Sequence, residues 1–363
     1  MTTRPAAQRV LNPNIPLRRR LLEDLGGLSP AYFGMVMATG IVSLAAALLG
    51  WPAIAQALWL LNIGAYSVLW ILTLWRLARF PARFFADLID HLRGPGFFTS
   101  VAATSVLGAQ FVVLGGEDRI GFALGAVAVV LWFVLTYAVF AGFIIKERKP
   151  ALDEGIGGGW LLAVVATQSI AVLCALLAAH SAPPYKLELI FFALSMWLWG
   201  GMLYIWMMSL IFYRYTFFKF SPGDLSPPYW INMGAMAIST LAGSLLILNA
   251  PEAPFLRSLL PFMKGFTLFY WATGTWWIPM LLVLAVWRYV VKRFPMRYDP
   301  LYWGAVFPLG MYCASTQEMI AAMGFDFLAV VPRAFLYAAL AAWMAAFAGF
   351  VLDLSRRLRA SRH

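Results

Sequence analysis

A short motif occurs five times in the chain, and each copy opens a long apolar segment. Every copy has Pro or Gly, then an aromatic residue, then a run of small and hydroxyl residues. The aromatic residues follow one another at separations of 65, 63, 69 and 73 residues; they are Tyr32, Phe97, Trp160, Tyr229 and Tyr302. A separation of this length holds two membrane-spanning helices with their loops. Five helical hairpins can close into a ring, and such a ring predicts a central pore.

The composition indicates a membrane protein. Hydrophobic residues make up 62% of the chain and charged residues only 12%, against about 25% charged residues in average chains. Ten apolar stretches are long enough for a hydrocarbon core of roughly 30 Å; they cover residues 30–50, 53–75, 96–116, 120–145, 157–179, 188–213, 228–250, 259–287, 301–322 and 330–352. Because backbone groups in lipid must be satisfied internally, these stretches are predicted to be helices. The predicted fold is therefore an all-α integral membrane protein with ten transmembrane helices in five hairpins.

The predicted domain organisation is simple. Residues 29–353 form one ten-helix pore domain, between an N-terminal tail of residues 1–28 and a C-terminal tail of residues 354–363. Within the first tail, residues 17–28 read either as a short amphipathic helix at the membrane surface or as a disordered anchor.

The charge distribution predicts the orientation. The formal net charge is +11, and ten spans place both termini on one side of the membrane. Of the 27 Lys and Arg residues, only five fall on the opposite side: Arg119, Lys186, Arg257, Lys264 and Arg333. Positively charged loops stay in the cytoplasm, so both termini are predicted to be cytoplasmic and the protein to lie in the cell membrane. This topology accounts for the basic charge, so no nucleic-acid partner is implied.

All five motif copies fall on odd-numbered spans, whereas the even spans are richer in Trp and Leu. We therefore expect the odd helices to form an inner ring and the even helices an outer ring facing lipid. Aligning the copies on the aromatic residue gives candidate pore-lining residues, which are Thr39, Thr104, Ser105, Thr167, Gln168, Gly234 and Gly310. The alternative is that these hydroxyl groups bond to their own helix or join neighbouring helices.

The fifth position after the aromatic residue differs in size among the copies. It holds Met37, Ala102, Val165, Gly234 and Phe307. If these positions face the axis, Phe307 alone is large enough to plug the pore, and Pro308 after it removes a backbone donor and shapes the helix. The alternative is that Phe307 packs in the core or faces lipid.

The odd spans carry no Lys, Arg or Asp in their central parts. Glu318, near the outer end of the ninth span, is the candidate titrating group; alternatively it bonds to a neighbour or is exposed to water. A carrier that binds a dianion tightly is expected to place a cation or helix N-termini at its site. A neutral lining instead favours weak binding and fast passage.

Three features together resemble a known family. They are the opening SPAYFGMVMATG from Ser29, the segment DHLRGPGFFTSVAATSVLG from Asp90, and the pair Phe307–Pro308. Over about residues 25–355 the chain is similar to the slow-type anion channel, tellurite-resistance and C4-dicarboxylate transporter family. The resemblance implies a quasi-five-fold pore of ten helices, usually in a homotrimer. It also implies occlusion of each pore by a Phe on the ninth helix, which Phe307 matches. One departure is that glycines 157–159 replace the Pro of the other copies.

The sequence thus favours a passive channel for small inorganic anions, gated by Phe307. The alternatives are a proton-coupled carrier of C4-dicarboxylates such as malate, or a tellurite-resistance exporter. No HExxH motif, P-loop or pair of intramembrane carboxylates suggests an enzyme, and no cofactor or metal is implied. Cys174 and Cys313 fall in predicted spans as packing residues, and His91 and His180 fall in loops.

Overall fold

A computed structural model describes residues 17–359 with the exception of residue 297; the side chains of residues 17–20 and 357–359 are not part of that description. The predicted tail residues 1–16 and 360–363 lie outside the described residues. The described chain is helical throughout, and nine of its helices are long and apolar enough to cross a membrane. The prediction of an all-α, multi-pass membrane protein is therefore confirmed.

The thirteen α-helices of the described chain are α1 (Leu17–Gly26), α2 (Phe33–Leu48), α3 (Pro52–Arg79), α4 (Pro81–Leu88), α5 (Phe98–Gly115), α6 (Asp118–Ile145), α7 (Leu152–Gly155), α8 (Leu162–Ala179), α9 (Tyr185–Phe217), α10 (Ile231–Asn249), α11 (Pro254–Val286), α12 (Trp303–Met323) and α13 (Val330–Arg359). Of the two alternatives for residues 17–28, the helix is found: α1 contacts α3, with Leu25 buried. The last helix, α13, continues beyond residue 353.

Each motif aromatic lies in a short 3₁₀ turn that leads into one of the helices α2, α5, α8, α10 and α12. The turns are Pro30–Tyr32, Gly94–Phe97, Gly158–Leu161, Pro227–Trp230 and Pro300–Tyr302. Proline suits the first turn of a helix because its missing N–H would have no partner there. In the first and last copies the Ser29 hydroxyl and the Asp299 carboxylate accept a backbone N–H, at 3.3 and 2.8 Å.

Packing explains why the third copy has Gly158 where the other copies have Pro. A Cβ atom at Gly158 would lie 2.5 Å from the carbonyl oxygen of Pro228, in the neighbouring turn. Close approach of the two backbones therefore explains this departure from the other copies.

Burial separates two sets of helices. Between 67% and 94% of the apolar core of α2, α5, α8 and α10 is buried, against 17% to 50% for α3, α6, α9, α11 and α13. Most of α12 is buried as well. It is not among the nine apolar helices because it carries Pro308, Gln317 and Glu318, which suit a helix surrounded by protein better than one facing lipid.

The five buried helices, called the inner helices below, contact one another in cyclic order. Helix α2 packs on α5, α5 on α8, α8 on α10, α10 on α12, and α12 on α2. The 3₁₀ turns at their N-terminal ends also contact one another in this order. The outer helices α3, α6, α9, α11 and α13 each pack on the inner helix that precedes them in the chain. Small residues on the inner helices allow this close packing.

Candidate functional site

A cavity of about 60 Å³ lies among the inner helices, and all five contribute to its lining. A volume of roughly 10–15 Å³ is enough for one water molecule, so the cavity has room for a few waters or a small ion. Its walls are mostly apolar. Each helix contributes residues three or four positions apart; one lining residue from each is Ile41, Val106, Ser169, Ile238 and Met311.

The level one helical turn below this cavity, called its floor here, holds the five residues that the sequence alignment placed at one level; they are not themselves among the lining residues. Four positions before the lining residues just named are Met37, Ala102, Val165, Gly234 and Phe307. Residues four apart lie on the same face of a helix, so these five face the same axis one turn lower. All of them are buried, and the exposed fraction of Phe307 is 0%. Phe307 is the only aromatic residue among the five.

The neighbours of Phe307 fix the direction of its side chain. Pro308 faces α10, since a Cβ atom at Gly234 would lie 2.7 Å from Pro308 Cγ. Gly310 faces α2, since its Cβ atom would lie 3.0 Å from Val42 Cγ2. Successive residues of an α-helix are turned by about 100°, which puts position 307 between these two directions. Phe307 therefore projects from α12 toward the axis, below the cavity.

The three threonines predicted to line the pore face the outer helices instead. Thr39 Oγ1 accepts a hydrogen bond from Trp343 Nε1 at 2.9 Å, and Thr167 Oγ1 accepts one from Trp132 Nε1 at 2.8 Å. Thr104 Oγ1 is 3.0 Å from the hydroxyl of Tyr66. Neither these threonines nor Gln168 lines the cavity. Thr104 and Thr167 also donate to carbonyls of their own helices, those of Ser100 at 2.7 Å and Ala163 at 2.8 Å. The geometry of the three threonines therefore fits bonding within the helix and joining of neighbouring helices, rather than lining of the cavity.

These bonds form a regular belt that the sequence did not reveal. Outer-helix aromatics also reach the remaining two inner helices: Trp197 Nε1 donates to the Ser239 carbonyl at 2.8 Å, and Trp271 Nε1 donates to Thr316 Oγ1 at 3.0 Å. In all five cases the aromatic belongs to the outer helix that precedes the inner helix, with α13 reaching round to α2. The belt therefore joins successive hairpins, and the Trp residues of the even spans were its only signal.

Gln168, Gly234 and Gly310 lie at helix contacts. The Gln168 Nε2 donates to the carbonyl of Trp197 at 3.0 Å, and the side chain lies against Gly200 of α9. The two glycines lie where α12 packs against α10 and α2. Among the residues predicted for the pore wall, only Ser105 lines the cavity.

Glu318 lines the cavity at its far end from Phe307. It follows Phe307 by eleven residues and so lies three turns further along the same face of α12. It is partly exposed and makes no hydrogen bond or ion pair within the described part of the chain. Glu318 is the one charged group among the described lining residues.

Among the described residues, no group of three or more His, Cys, Asp and Glu side chains could hold a metal ion. Cys174 and Cys313 are buried and unpaired.

The apolar helices, their cyclic packing and the cavity among the inner helices define a class, a multi-pass helical membrane protein with a central cavity. The sequence profile of the voltage-dependent anion channel family matches residues 27–351, and the chain belongs to that family. A transporter of Methanocaldococcus jannaschii without assigned function is 25% identical over 304 residues, which cover 82% of this chain and 86% of the relative. A membrane protein of Mycobacterium tuberculosis, also without assigned function, is 35% identical over 153 residues, or 42% of this chain and 77% of the relative.

Proposed function

We propose that the protein is a passive anion channel whose pore runs along the axis of the inner helices and is closed by Phe307. The main support for this proposal is the axial cavity, which is lined by all five inner helices. At the level of its floor, Phe307 is the single aromatic residue and projects toward the axis. In this proposal α12 is the ninth of ten spans, in addition to the nine apolar helices, and the five hairpins form a quasi-five-fold ring. The cyclic contacts of the inner helices support that arrangement.

Membership of an anion channel family supports anions as the transported ions. The electrostatics favour the same choice. All five inner helices begin on the side that carries most of the Lys and Arg residues, and helix N-termini carry partial positive charge. We take this side as cytoplasmic, with both termini there, because positive loops stay inside the cell. Anions would then be concentrated at the cytoplasmic mouth.

The gate rests on Phe307 and Pro308. Pro308 has no backbone N–H, so the hydrogen bond to the carbonyl four residues earlier is missing and the helix is less constrained next to Phe307. Rotation of the Phe307 side chain away from the axis would connect the cavity to the cytoplasmic mouth. A neutral, mostly apolar wall would let a partly dehydrated anion pass without tight binding.

The test is anion flux through purified protein in liposomes under an imposed voltage, comparing wild type with Phe307→Ala. The expected result is a rise of conductance of at least about tenfold, the factor that corresponds to about 1.4 kcal/mol of barrier height. Phe133→Ala is the matched control, because Phe133 is 58% exposed on the outer helix α6. Equal currents in Phe307→Ala and wild type, at equal amounts of folded protein, would refute the gate.

The second candidate is a proton-coupled C4-dicarboxylate carrier, which the position of Glu318 in the cavity favours. Malate uptake would then saturate and follow a proton gradient, and Glu318→Gln would abolish the coupling. A tellurite-resistance exporter and a homotrimeric assembly stay predictions from the family resemblance.

A further inference from the structure

Ser105 carries a buried hydroxyl group without a hydrogen-bond partner. Its exposed fraction is 1%, it lines the cavity, and its Oγ makes no hydrogen bond in the described chain. The other lining serine, Ser169, donates to the carbonyl of Ala166 at 2.7 Å. A buried hydroxyl without a partner is unfavourable, so Ser105 is prepared to donate a hydrogen bond to a ligand in the cavity.

The two serines lie close to the floor of the cavity. Ser105 follows Ala102 by three residues and Ser169 follows Val165 by four, which puts them about 4.5 and 6 Å above the level of Phe307. They belong to α5 and α8, which pack on each other. An anion resting above the closed gate would therefore meet the Ser105 hydroxyl first.

Glu318 lies about 16 Å above the level of Phe307, at the outer mouth. The last lining residues of the other four helices are apolar: Leu48, Val113, Leu176 and Leu245. The charged groups that follow on the next turn and on α13, Asp326 and Arg333, are both exposed. No described cation in the lining compensates Glu318, so an anion entering from outside meets its negative charge.

We infer, on the basis of the channel proposed above, that the cavity binds one small monovalent anion, such as chloride or nitrate, on the Ser105 hydroxyl, and that Glu318 rejects dianions. Coulomb repulsion by the carboxylate is proportional to the charge of the entering ion, so a dicarboxylate is repelled twice as strongly as chloride. The one available hydroxyl donor also leaves most oxygen atoms of a dicarboxylate without partners.

Binding is tested without transport, by thermal unfolding of the purified protein in detergent. Chloride is exchanged for bulky gluconate at constant ionic strength, and a ligand of the folded state raises the Tm with its concentration. We expect chloride to raise the Tm of wild type and this effect to be lost in Ser105→Ala. Ser100→Ala should keep the chloride effect, because the Ser100 hydroxyl already bonds to the Phe97 carbonyl in the turn that leads into α5. The same chloride effect in Ser105→Ala, or none in wild type, would overturn the site.

The role of Glu318 is tested by flux in the Phe307→Ala background. Glu318→Gln should raise the permeability of malate relative to chloride on the order of tenfold, the effect of one extra unit of ligand charge a few ångströms from a carboxylate. Asp326→Asn removes an exposed charge near the same end of α12 and should leave the ratio unchanged. An unchanged ratio in Glu318→Gln overturns the rejection of dianions.

The two proposals fail separately. If Phe307→Ala carries no anion current while chloride still stabilises wild type and not Ser105→Ala, the gated channel is wrong and the anion site is supported. If Phe307→Ala conducts and Ser105→Ala keeps the chloride effect, the channel is supported and the site is wrong.

Discussion

The indole Nε1 of Trp343 donates a hydrogen bond to Thr39 Oγ1 at 2.9 Å, joining two residues 304 positions apart. It links the last helix of the chain, α13, to the first inner helix, α2. The bond is thus the closing member of the belt in which each outer helix holds the inner helix of the next hairpin.

The first prediction concerns this closing bond. Thr39→Val and Trp343→Phe should each destabilise the protein, and a double-mutant cycle should give a coupling of about 0.6 kcal/mol, the average for such bonds between membrane helices. Unfolding of purified protein in mixed detergents would measure it. Thr216→Val is the control, since the exposed Thr216 bonds only to carbonyls of its own helix.

Thr39→Val also distinguishes a structural role of Thr39 from a role in lining the pore. In the Phe307→Ala background, Thr39→Val should leave anion conductance and selectivity unchanged, because Thr39 faces α13. A change of selectivity without loss of stability would show that Thr39 lines the pathway after all.

The second prediction concerns Gly234. Its missing side chain makes room for Pro308, whose Cγ would lie 2.7 Å from a Cβ atom at Gly234. Gly234→Ala should therefore push α12 away from α10, at a cost of about 1–3 kcal/mol in the free energy of unfolding. Because Pro308 is next to Phe307, we also expect the closed floor of the cavity to leak.

Thermal unfolding and anion flux would both be measured for Gly234→Ala. Gly64→Ala is the matched control: it lies in the middle of α3, and a Cβ atom there would meet nothing within 4 Å. A helical Gly→Ala change with free space is neutral or stabilising. A Gly234→Ala protein as stable and as tightly closed as wild type would contradict the packing argument.

The sequence was sufficient for nine of the ten predicted spans and for the separation of more buried from less buried helices, because hydropathy and length determine what can cross a bilayer. The level of Phe307 also followed from it, since equivalent repeat positions lie at equivalent depths. The rotation of each helix about its own axis did not follow. Thr39 and Phe307 both belong to repeat positions on inner helices, yet one faces the outer ring and the other the axis. The seventh and fifth positions after the aromatic residue are turned by about 200° from each other on a helix, so only one of them can face the axis. Which of the two does so depends on the helices that pack on either side, and local sequence does not specify this.

Glu318 is a second example. The sequence placed it near the outer end of the ninth span but left open whether it is a titrating group at the outer mouth, bonds to a neighbour or is exposed to water. Its spacing of eleven residues puts it on the same face of the helix as Phe307, but only the cyclic packing of five helices turns that face toward the cavity. The buried Arg76 was missed for a similar reason, since its partner Asp87 is in a separate helix, α4.

The third prediction concerns that ion pair. Arg76 is 2% exposed, its guanidinium Nη2 contacts Asp87 Oδ2, and Arg93 Nε is 2.8 Å from Asp87 Oδ1. Asp87→Asn leaves the buried Arg76 charge unpaired and should cost about 3–5 kcal/mol of stability. Arg93 is 44% exposed, so Arg93→Gln should cost at most about 1 kcal/mol. Similar losses of stability in Asp87→Asn and Arg93→Gln, measured by thermal unfolding, would show that the contribution of the ion pair does not depend on the burial of Arg76.

The last prediction concerns His91, in the turn between α4 and the second motif copy. Its ring stacks on Phe143 with centroids 4.3 Å apart, and its carbonyl accepts Trp160 Nε1 at 2.9 Å. The residue is therefore packed rather than freely solvated. This burial lowers the pKa of His91 below the ordinary value of 6.5, and the positive charge of Lys146 lowers it further.

A histidine with a lowered pKa in the folded state binds fewer protons than it does in the unfolded chain, so the fold loses stability as the pH falls below about 6.5. Above that pH both states are neutral and the contribution is absent.

The loss of stability at low pH should be modest because the ring is partly exposed. His91→Phe, which keeps the stacking, should remove this pH dependence. His180→Gln deletes an exposed histidine that pairs with Asp118, and this variant should retain the pH dependence of wild type. Thermal unfolding between pH 7.5 and pH 5.5, a range of about one unit on either side of 6.5, measures the slope. If the slope of His91→Phe equals that of wild type while His180→Gln flattens it, the pH sensitivity belongs to the pair of His180 and Asp118 and not to this turn.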